Sequence, residues 1–526
     1  MFAMLFLRSR ILYAETQDAG GHKFRFCDSL NLFPNLTVAG LGQMVGLPKL
    51  NPPEGLYAIP EPGVDRNSDA PLSLSEVSDY CLRDAMVVWR AVAGLQVDLN
   101  ALGGQLQPTL SGCAMDLYRR RYQEHPWHTP HRALNRIARA AYYGGRAEPY
   151  RLGGQSAVNV YDANSLYPAA QRRVDLPDPK HTALDASPPS PYARLRYPGL
   201  SYCTLEIPDS AVVPIPVHVE GGLFFPTGRV TGCWTHNELR AALEHGVRLK
   251  QTRWSLYSPQ AVHPFGAYVD DLYALKASCP PDQPGRRQTL KLLLNSLYGR
   301  WGVNLDGCLQ TLVPIRDTAD LAAYPGGELK LINDLPYVLR PVGQGSQPAY
   351  ANSLWAACIT AEARTWMLPY LTCAPDDLVY TDTDSVCSTA VLSIGSGLGE
   401  LRLERAGVDM AVYAPKEYTV SLGAQLLEVA CKGIPEALRL DYLRGHQVAF
   451  DSPIGIVEAA GRGGSPGVWI ERVRKRQVKL PKRAPLGEAS PPGESLPTRA
   501  WTTRELAELL PPSGFRAPTV PVCLGD

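Results

Sequence analysis

What the 526-residue sequence lacks narrows its class before any motif is found. Its 12 cysteines include no Cys-x-x-Cys pair, which excludes zinc ribbons and, with no secretory signal, points to a reducing cytosol. Net charge is nearly absent as well, with 52 Lys and Arg against 51 Asp and Glu. The chain is therefore no polycation, and any contact with nucleic acid must come from local clusters of Arg and Lys. Long apolar runs are missing too. Residues 1–7 are apolar but are followed at once by Arg8 and Arg10. Basic residues after the run, not before it, make neither a signal peptide nor a membrane span, so no membrane partner is expected. There is no internal repeat. What remains is a globular composition, 45% hydrophobic and 20% charged, with 47 Pro and 46 Gly marking many turns. The length suffices for several domains with their own cores.

The most informative stretch is Leu378-Val379-Tyr380-Thr381-Asp382-Thr383-Asp384-Ser385-Val386, which sets two carboxylates two residues apart in an apolar, β-branched run. At a period of two, Asp382 and Asp384 share a face. Adjacent carboxylates beside a buried strand are costly unless neutralised, and a divalent cation does so most directly. The stretch reads as half of a metal site. An Asp-x-Asp turn accepting backbone N–H groups and the nucleotide-sugar site of a glycosyltransferase remain open readings. An EF-hand does not: counting Asp382 as the first position, the fifth and sixth are Val386 and Cys387, with no Gly or later bidentate Glu in register.

Before that stretch, residues 1–98 show short apolar runs, a Pro/Gly-rich loop over 47–62 and a helical pattern over 73–92. On that helix Tyr80 and Asp84 share a face and, taken alone, read as a surface pair. A basic segment follows, Arg119-Arg120-Arg121 and then Arg132, Arg136 and Arg139 on one helical face, by itself a solvated charged face. It ends in Ala141-Tyr142-Tyr143-Gly144-Gly145-Arg146, where glycines would let a backbone approach a phosphate chain beside groups that stack on bases. Val158-Asn159-Val160-Tyr161-Asp162 alternates as a strand and ends in a candidate third carboxylate, and residues 163–168 turn out of it. Residues 173–198 read as a surface loop, and Thr235-His236-Asn237-Glu238 as a capping box whose helix stops at Gly246.

Two helices are expected next, over 265–277 and from Gly285 onward. On the second, Arg287, Lys291, Asn295 and Tyr298 line one face, and Leu290, Leu293, Leu294 and Leu297 the other. Charge toward solvent is the ordinary reading of such a helix, but Asn295-Ser296-Leu297-Tyr298-Gly299 is unusually specific for an idle surface. Residues 352–368 form an apolar helix suited to packing under the sheet of Asp382 and Asp384. Residues 415–420 read as a strand with Lys416 and Tyr418 on one face, and residues 472–483 hold seven basic side chains. Beyond 483, Pro, Gly and Ser dominate, and a poorly ordered tail around one short helix over 504–510 is expected.

Taken in order, Asp162-Ala163-Asn164-Ser165-Leu166-Tyr167-Pro168, then Lys291 to Gly299 as Lys-x-x-x-Asn-Ser-x-Tyr-Gly, then Tyr380-Thr381-Asp382-Thr383-Asp384-Ser385, the chain resembles family B DNA polymerases. The likeness is greatest to the protein-primed branch of phages and linear plasmids and covers residues 70–480. It implies a multidomain α+β fold, a right-hand polymerase with an antiparallel palm sheet, helical fingers and a thumb, preceded by a partial RNase H-like exonuclease domain. The domains implied are exonuclease-like 1–98, basic linker 99–150, palm 151–262 and 302–425 with an insertion at 303–349, fingers 263–301, thumb 426–485 and tail 486–526. The activity implied is template-directed addition of dNTPs to a primer 3′-hydroxyl by phosphoryl transfer assisted by two Mg²⁺ ions, with Mn²⁺ as substitute, in the cytoplasm of the host of a phage or plasmid-like genome.

By the same resemblance Asp162, Asp382 and Asp384 are the catalytic acids, with Asp162 and Asp384 holding the metals. Lys291 meets the triphosphate, helped by Arg287 and Lys276; Tyr298 packs on the nascent base pair, Asn295 contacts the nucleotide, and Tyr167 lies under the sugar and excludes a 2′-hydroxyl. Lys416 and Tyr418 match a pattern that steadies the primer end. Tyr142, Gly144 and Gly145 match the motif that holds template, and Arg474 and Arg476 fall among the DNA-binding cations. Candidate regions for the two insertions of the protein-primed branch are 195–262 and 303–349, and overall likeness to that branch implies a terminal protein as primer beside primed template DNA.

The front departs from the family pattern. Upstream of Asp28 the only acids are Glu15 and Asp18, and they do not form the Asp-x-Glu of the first exonuclease motif. Phe26-Cys27-Asp28-Ser29-Leu30 resembles a later stretch of that domain, and Tyr80-x-x-x-Asp84 its third motif, which changes the surface reading of that pair. The expectation is a chain with only the back half of the exonuclease and no proofreading. The alternative to a working polymerase is a catalytically inactive DNA-binding fragment of one.

Overall fold

The computed structural model describes residues 3–7, 10–18, 20–34, 36–53, 74–219, 222–303, 309–315, 322–324, 327–332, 335–341, 348–453, 469–476, 480–487 and 495–509. The second half of the 47–62 loop and much of the expected tail lie outside them. The fold is mixed α+β and divides into two compact units. One takes in Met1–His125, Ala267–Arg300 and Leu305–Ser346; the other takes in Pro126–Gly266, Trp301–Asn304 and Gln347–Asp526.

The first unit carries a six-stranded antiparallel sheet in the order Glu328–Ile332, Leu335–Pro341, Leu309–Pro314, Ala3–Leu7, Arg10–Gln17, Lys23–Phe26. The apolar opening run is thus an interior strand, and the 303–349 segment supplies its neighbour Leu309–Pro314. The helix Leu74–Leu102 runs well past the expected 92. Its buried stripe, Tyr80, Val87 and Ala91, continues through Leu95, Leu99 and Leu102 at helical spacing. The helices Gly266–Ala277 and Pro284–Ser296 are separated at Cys279-Pro280-Pro281, and Pro284 starts the second, where a missing N–H costs nothing. Leu290, Leu293, Leu294 and Leu297 are buried, and Tyr268 donates from its hydroxyl to Leu293 O at 2.8 Å, pinning one helix to the other.

The second unit is built on an antiparallel sheet in the order Gln425–Cys431, Glu417–Leu422, Leu401–Ala414, Arg151–Ala163, Ser385–Ser388, Leu378–Asp382, Ala147–Pro149. Val158, Val379, Tyr380, Val408, Met410 and Val412 form its core. A four-stranded sheet, Gly228–Thr235, Gly199–Ile207, Arg248–Tyr257, Ala183–Asp185, covers a separate core around Cys203, Leu205, Val230, Trp234 and Leu239. Two of its neighbours differ from expectation. Residues 173–198 include the short strands Leu176–Pro177 and Ala183–Asp185. The helix His236–Glu244 starts at Thr235 without a side-chain cap, because Glu238 is buried and ion-paired with Arg364 instead of reaching back to the helix start.

The helix Ser353–Thr372 is capped by Asn352, whose side chain accepts from Trp355 N. It is apolar nearly all round and packs chiefly on the helices Leu166–Arg173, His236–Glu244 and Arg132–Arg139, where packing under the main sheet was expected. The expected tail is partly ordered. Leu496–Arg499 pairs with the start of Arg151–Ala163, and Leu506 of the helix Thr503–Leu509 is fully buried against Val219 and Phe224.

Candidate catalytic centre

Three neighbouring backbones bring Asp162, Asp382 and Asp384 together. Asp382 ends the strand Leu378–Asp382, Asp384 sits in the turn before Ser385–Ser388, and Asp162 lies opposite Ser385 in register. Ala163 N donates to Asp384 O at 2.8 Å. The β-branched and aromatic residues before Asp382 extend the strand, and the small polar residues around it fold the turn. Thr381 Oγ1 donates to Ser385 O at 2.8 Å, Ser385 Oγ to Asp382 O at 3.2 Å and Thr383 Oγ1 to Asp382 Oδ1 at 3.2 Å. Asp384 N donates to Asp382 O at 2.8 Å with Thr383 at φ 62° between them, a rare and strained γ-turn.

Strain gathers here. Ser165, Thr383 and Lys416 are three of the four non-glycine residues at positive φ among those described, and the fourth, Ala157, lies on the strand of Asp162. Backbone held in such wells persists only where its surroundings over-determine it, and it concentrates at functional sites.

The three carboxylates are compensated unequally. Lys416 Nζ donates to both oxygens of Asp382 at 2.7 and 2.6 Å, while Tyr380 OH donates to Asp382 Oδ2 at 3.3 Å and accepts from Lys416 N at 2.8 Å. Lys416 stands in the tight turn before Glu417–Leu422, not within the strand as expected; its positive φ aims it back at Asp382. Arg402 Nη2 lies 3.7 Å from Asp162 Oδ2 and 2.5 Å from Glu404 Oε1. Asp384 has no ion-pair partner within salt-bridge distance among the described residues. Burial, joined by the charges of Asp382 and Glu404 and opposed by Lys416, holds its carboxyl above the usual range. A half-buried, under-compensated carboxylate with Asp162 on the adjoining strand suits a hard divalent cation with oxygen ligands. Among the described residues no group of three His, Cys, Asp or Glu side chains is placed to hold a metal ion; Asp162 and Asp384 are brought near each other by backbone pairing.

The other residues singled out in the sequence are placed as follows. Tyr167 is half-buried in the first turn of Leu166–Arg173. Gly144 faces open space, Gly145 packs on Thr383, and the Tyr142 ring lies where a Cβ on Gly302 would stand. Tyr418 OH donates to Glu428 Oε1 at 3.1 Å, its ring 5.4 Å from that of Tyr380. Arg474 is exposed, whereas Arg476 is committed to Glu417 Oε2 and Tyr413 O, both at 2.9 Å.

In the first unit, Arg287 and Lys291 are exposed on one face of their helix, Asn295 and Tyr298 are half-buried, and Lys276 Nζ lies 4.5 Å over the Tyr273 ring. Tyr80 is buried, not on the surface, and Lys49 sits 4.2 Å over its ring while ion-pairing with Asp84. Sequence reasoning passed over Lys49, Arg402 and Arg364, and read Glu238 only as part of a helix cap. Arg364 did carry a signal: with Glu362 it is the only charge in an apolar 20-residue helix.

The family described as DNA polymerase type B, organellar and viral, matches residues 74–322. A probable DNA polymerase of Ascobolus immersus is 31% identical over 264 residues, 48% of this chain and 21% of that protein. The DNA-directed DNA polymerase of Enterobacteria phage PRD1 is 24% identical over 368 residues, 68% of this chain and 62% of that protein. The chain thus spans less than two thirds of the length of either. Phi29 DNA polymerase complexed with primer-template DNA superposes with a TM-score of 0.65 at 18% identity, covering 90% of this chain and 85% of that one, a likeness of fold. No helix among the described residues is long and apolar enough to cross a membrane. Motif order, strand register and these matches agree in likening the chain to the DNA polymerases of type B, organellar and viral.

Proposed function

We propose that this chain is a template-directed DNA polymerase that adds dNTPs to a primer 3′-hydroxyl. The observation that carries this reading is the meeting of Asp162, Asp382 and Asp384 at one end of three neighbouring strands, around a strained turn. Asp162 and Asp384 are the residues that would hold divalent metal; Mg²⁺ there supplies the positive charge that in-line phosphoryl transfer requires, with Mn²⁺ as substitute. Asp382 holds Lys416, which keeps an ammonium at the edge of the acids, suited to steadying an anionic primer end. Tyr418 is fixed by Glu428 beside it. Gly144, open on its outer side, allows template backbone to approach. From the motif match we assign Lys291, with Arg287 and Lys276, to the triphosphate, Tyr298 and Asn295 to the nucleotide and nascent pair, and Tyr167 to exclusion of the 2′-hydroxyl. Primed template and dNTPs are the proposed substrates, palm, fingers and thumb the proposed domains, and a terminal protein the proposed priming partner.

Purified chain should extend a labelled primer on a template, and Asp384→Ala should lower the rate by at least about a thousandfold. An inactive DNA-binding fragment would bind the duplex and extend nothing in either form. Equal extension by both would sink the assignment of the acids.

We further propose that this chain does not proofread. Asp84 is held by Lys49, and the described acids near the front are used elsewhere: Glu15 by Arg25, Asp18 by His22, and Asp28 as the cap accepting from Leu30 N. Mg²⁺-dependent degradation of single-stranded DNA that disappears in Asp84→Ala would refute this.

A further inference from the structure

The linker Tyr142-Tyr143-Gly144-Gly145-Arg146 touches the acid-bearing turn in two ways. Arg146 O accepts from Thr383 N at 2.6 Å, and a Cβ on Gly145 would stand 2.6 Å from Thr383 Oγ1 and 2.8 Å from its Cγ2. On the other side the same backbone is gripped by one guanidinium. Arg364 Nη1 donates to Tyr143 O and to Gly144 O at 2.8 Å each, and its Nε donates to Glu238 Oε1 at 2.7 Å. The pair is buried, Arg364 at 6% exposure and Glu238 at 0%. Tyr143 is pinned further by its hydroxyl, which donates to Cys233 O at 3.1 Å, and by its ring, stacked on His218 at 4.9 Å.

Taking two charges out of water costs several kcal/mol per ion, and an apolar pair of similar volume is often as stable or more so. What an apolar pair cannot do is hold two consecutive carbonyls with one planar, fixed fork. The contact therefore reads as a device for fixing a backbone.

We propose that Arg364, oriented by Glu238, is a positioning residue for the turn Asp382-Thr383-Asp384 and acts through the backbone of residues 143–146. What the turn does rests on the polymerase reading; the mechanical link does not. Thr383 at φ 62° is in a conformation unfavourable to a β-branched residue, and the Arg146 carbonyl and the wall at Gly145 help to retain it. With the linker loosened, Thr383 relaxes toward negative φ and carries Asp384 away from its place beside Asp162. Arg364 itself touches none of the acids.

Three full-chain variants test the link. Arg364→Lys keeps a cation opposite Glu238 but offers a point charge in place of the fork. Gly145→Ala drives a methyl into Thr383. Gly145→Ala/Thr383→Gly removes the opposing side chain and makes the positive φ unstrained. Mn²⁺ binding is read without DNA by electron paramagnetic resonance, and primer extension is measured beside it. Both single variants should weaken Mn²⁺ binding by about fivefold or more and lower kcat by about tenfold or more, with KM for dNTP changed by less than about twofold. The double variant should recover most of the Mn²⁺ affinity lost by Gly145→Ala. Wild-type Mn²⁺ affinity in both single variants overturns the proposal, as does a double variant no better than Gly145→Ala. Should Arg364→Lys not fold, Gly145→Ala and its rescue decide alone. A wild-type chain that binds Mn²⁺ but extends no primer sinks the polymerase reading and leaves the titration to judge the link.

Discussion

His236 shows at the scale of one residue how far the second unit commits itself to neutral pH. It is fully buried; its Nδ1 faces Tyr197 O at 2.8 Å and its Nε2 faces Ser201 Oγ at 2.8 Å. A carbonyl only accepts, so Nδ1 carries the proton and Nε2 accepts from Ser201, which in turn takes a hydrogen from Ser255 Oγ at 2.8 Å. A second proton, on Nε2, would have to reverse that chain and put a charge in a fully buried site, and burial lowers the imidazole from 6.5 to about 4. The folded-state value lies below the unfolded one, so the unfolded chain binds the extra proton first. Stability from this group is present above pH 6.5 and is lost as pH falls from there to 4, on the order of 3 kcal/mol in all. Urea unfolding at steps between pH 7.5 and 4 should show that slope, and His236→Gln should flatten it. An identical slope in both would mean the histidine is not the group responsible. That Asp162, Asp382 and Asp384 lie on neighbouring strands was legible in sequence because each sits in a short run of residues specific to its chemistry. The Arg364–Glu238 pair was not, because its members are 126 positions apart: Glu238 reads as a helix cap, and Arg364 stands out in its apolar helix without naming a partner.

At the scale of elements, the strand Arg151–Ala163 explains both what the sequence conveyed and what it hid. Only Val158 to Asp162, near its end, read as an alternating strand. The earlier part contains Gly153 at φ 80° and Ala157 at φ 58°, and its register against Leu401–Ala414 shifts three times between Leu403 and Met410. Such bulges break the period of two, so a 13-residue strand reads as a short one preceded by a turn. The reverse holds for Pro284–Ser296, whose leucines keep their helical spacing and which is found where its pattern lies. The bulge gives a prediction with an inverted sign. At an exposed strand position Ala→Val ordinarily stabilises, since β-branched residues favour strands. Ala157→Val should instead destabilise by about 1–2 kcal/mol, because a β-branched residue at positive φ is a steric outlier. Thermal or urea unfolding decides it, and a Val variant more stable than the parent would show that the bulge shifts to accommodate the side chain.

On the scale of the whole chain, the features hardest to read were those that join distant segments. Met4 pairs with Leu312, and Leu152 with Leu496. Composition says nothing of such pairings; a Pro-rich stretch such as 483–509 looks like a tail because its anchors are few and far apart. Those anchors are specific. Arg483 is 1% exposed, with Nε on Thr498 Oγ1 at 3.0 Å and Nη2 on Ala211 O at 2.9 Å. Thr498 donates from both N and Oγ1 to Tyr150 O at 2.9 Å. Leu506 closes an apolar cluster with Val219 and Phe224, against which Leu480 and Trp501 pack. Leu506→Ala should therefore cost about 2–4 kcal/mol. Removing residues 495–526 should cost more, because it opens the same cavity and also leaves Arg483 buried with its nearest carboxylate, Glu148, at 3.9 Å. The expected order of urea midpoints is wild type, then Leu506→Ala, then the truncated chain. A truncated chain as stable as wild type would make the segment a passenger. A truncated chain that unfolds first but regains stability with Arg483→Met would identify the stranded guanidinium, and not the lost leucine, as the larger part of the cost.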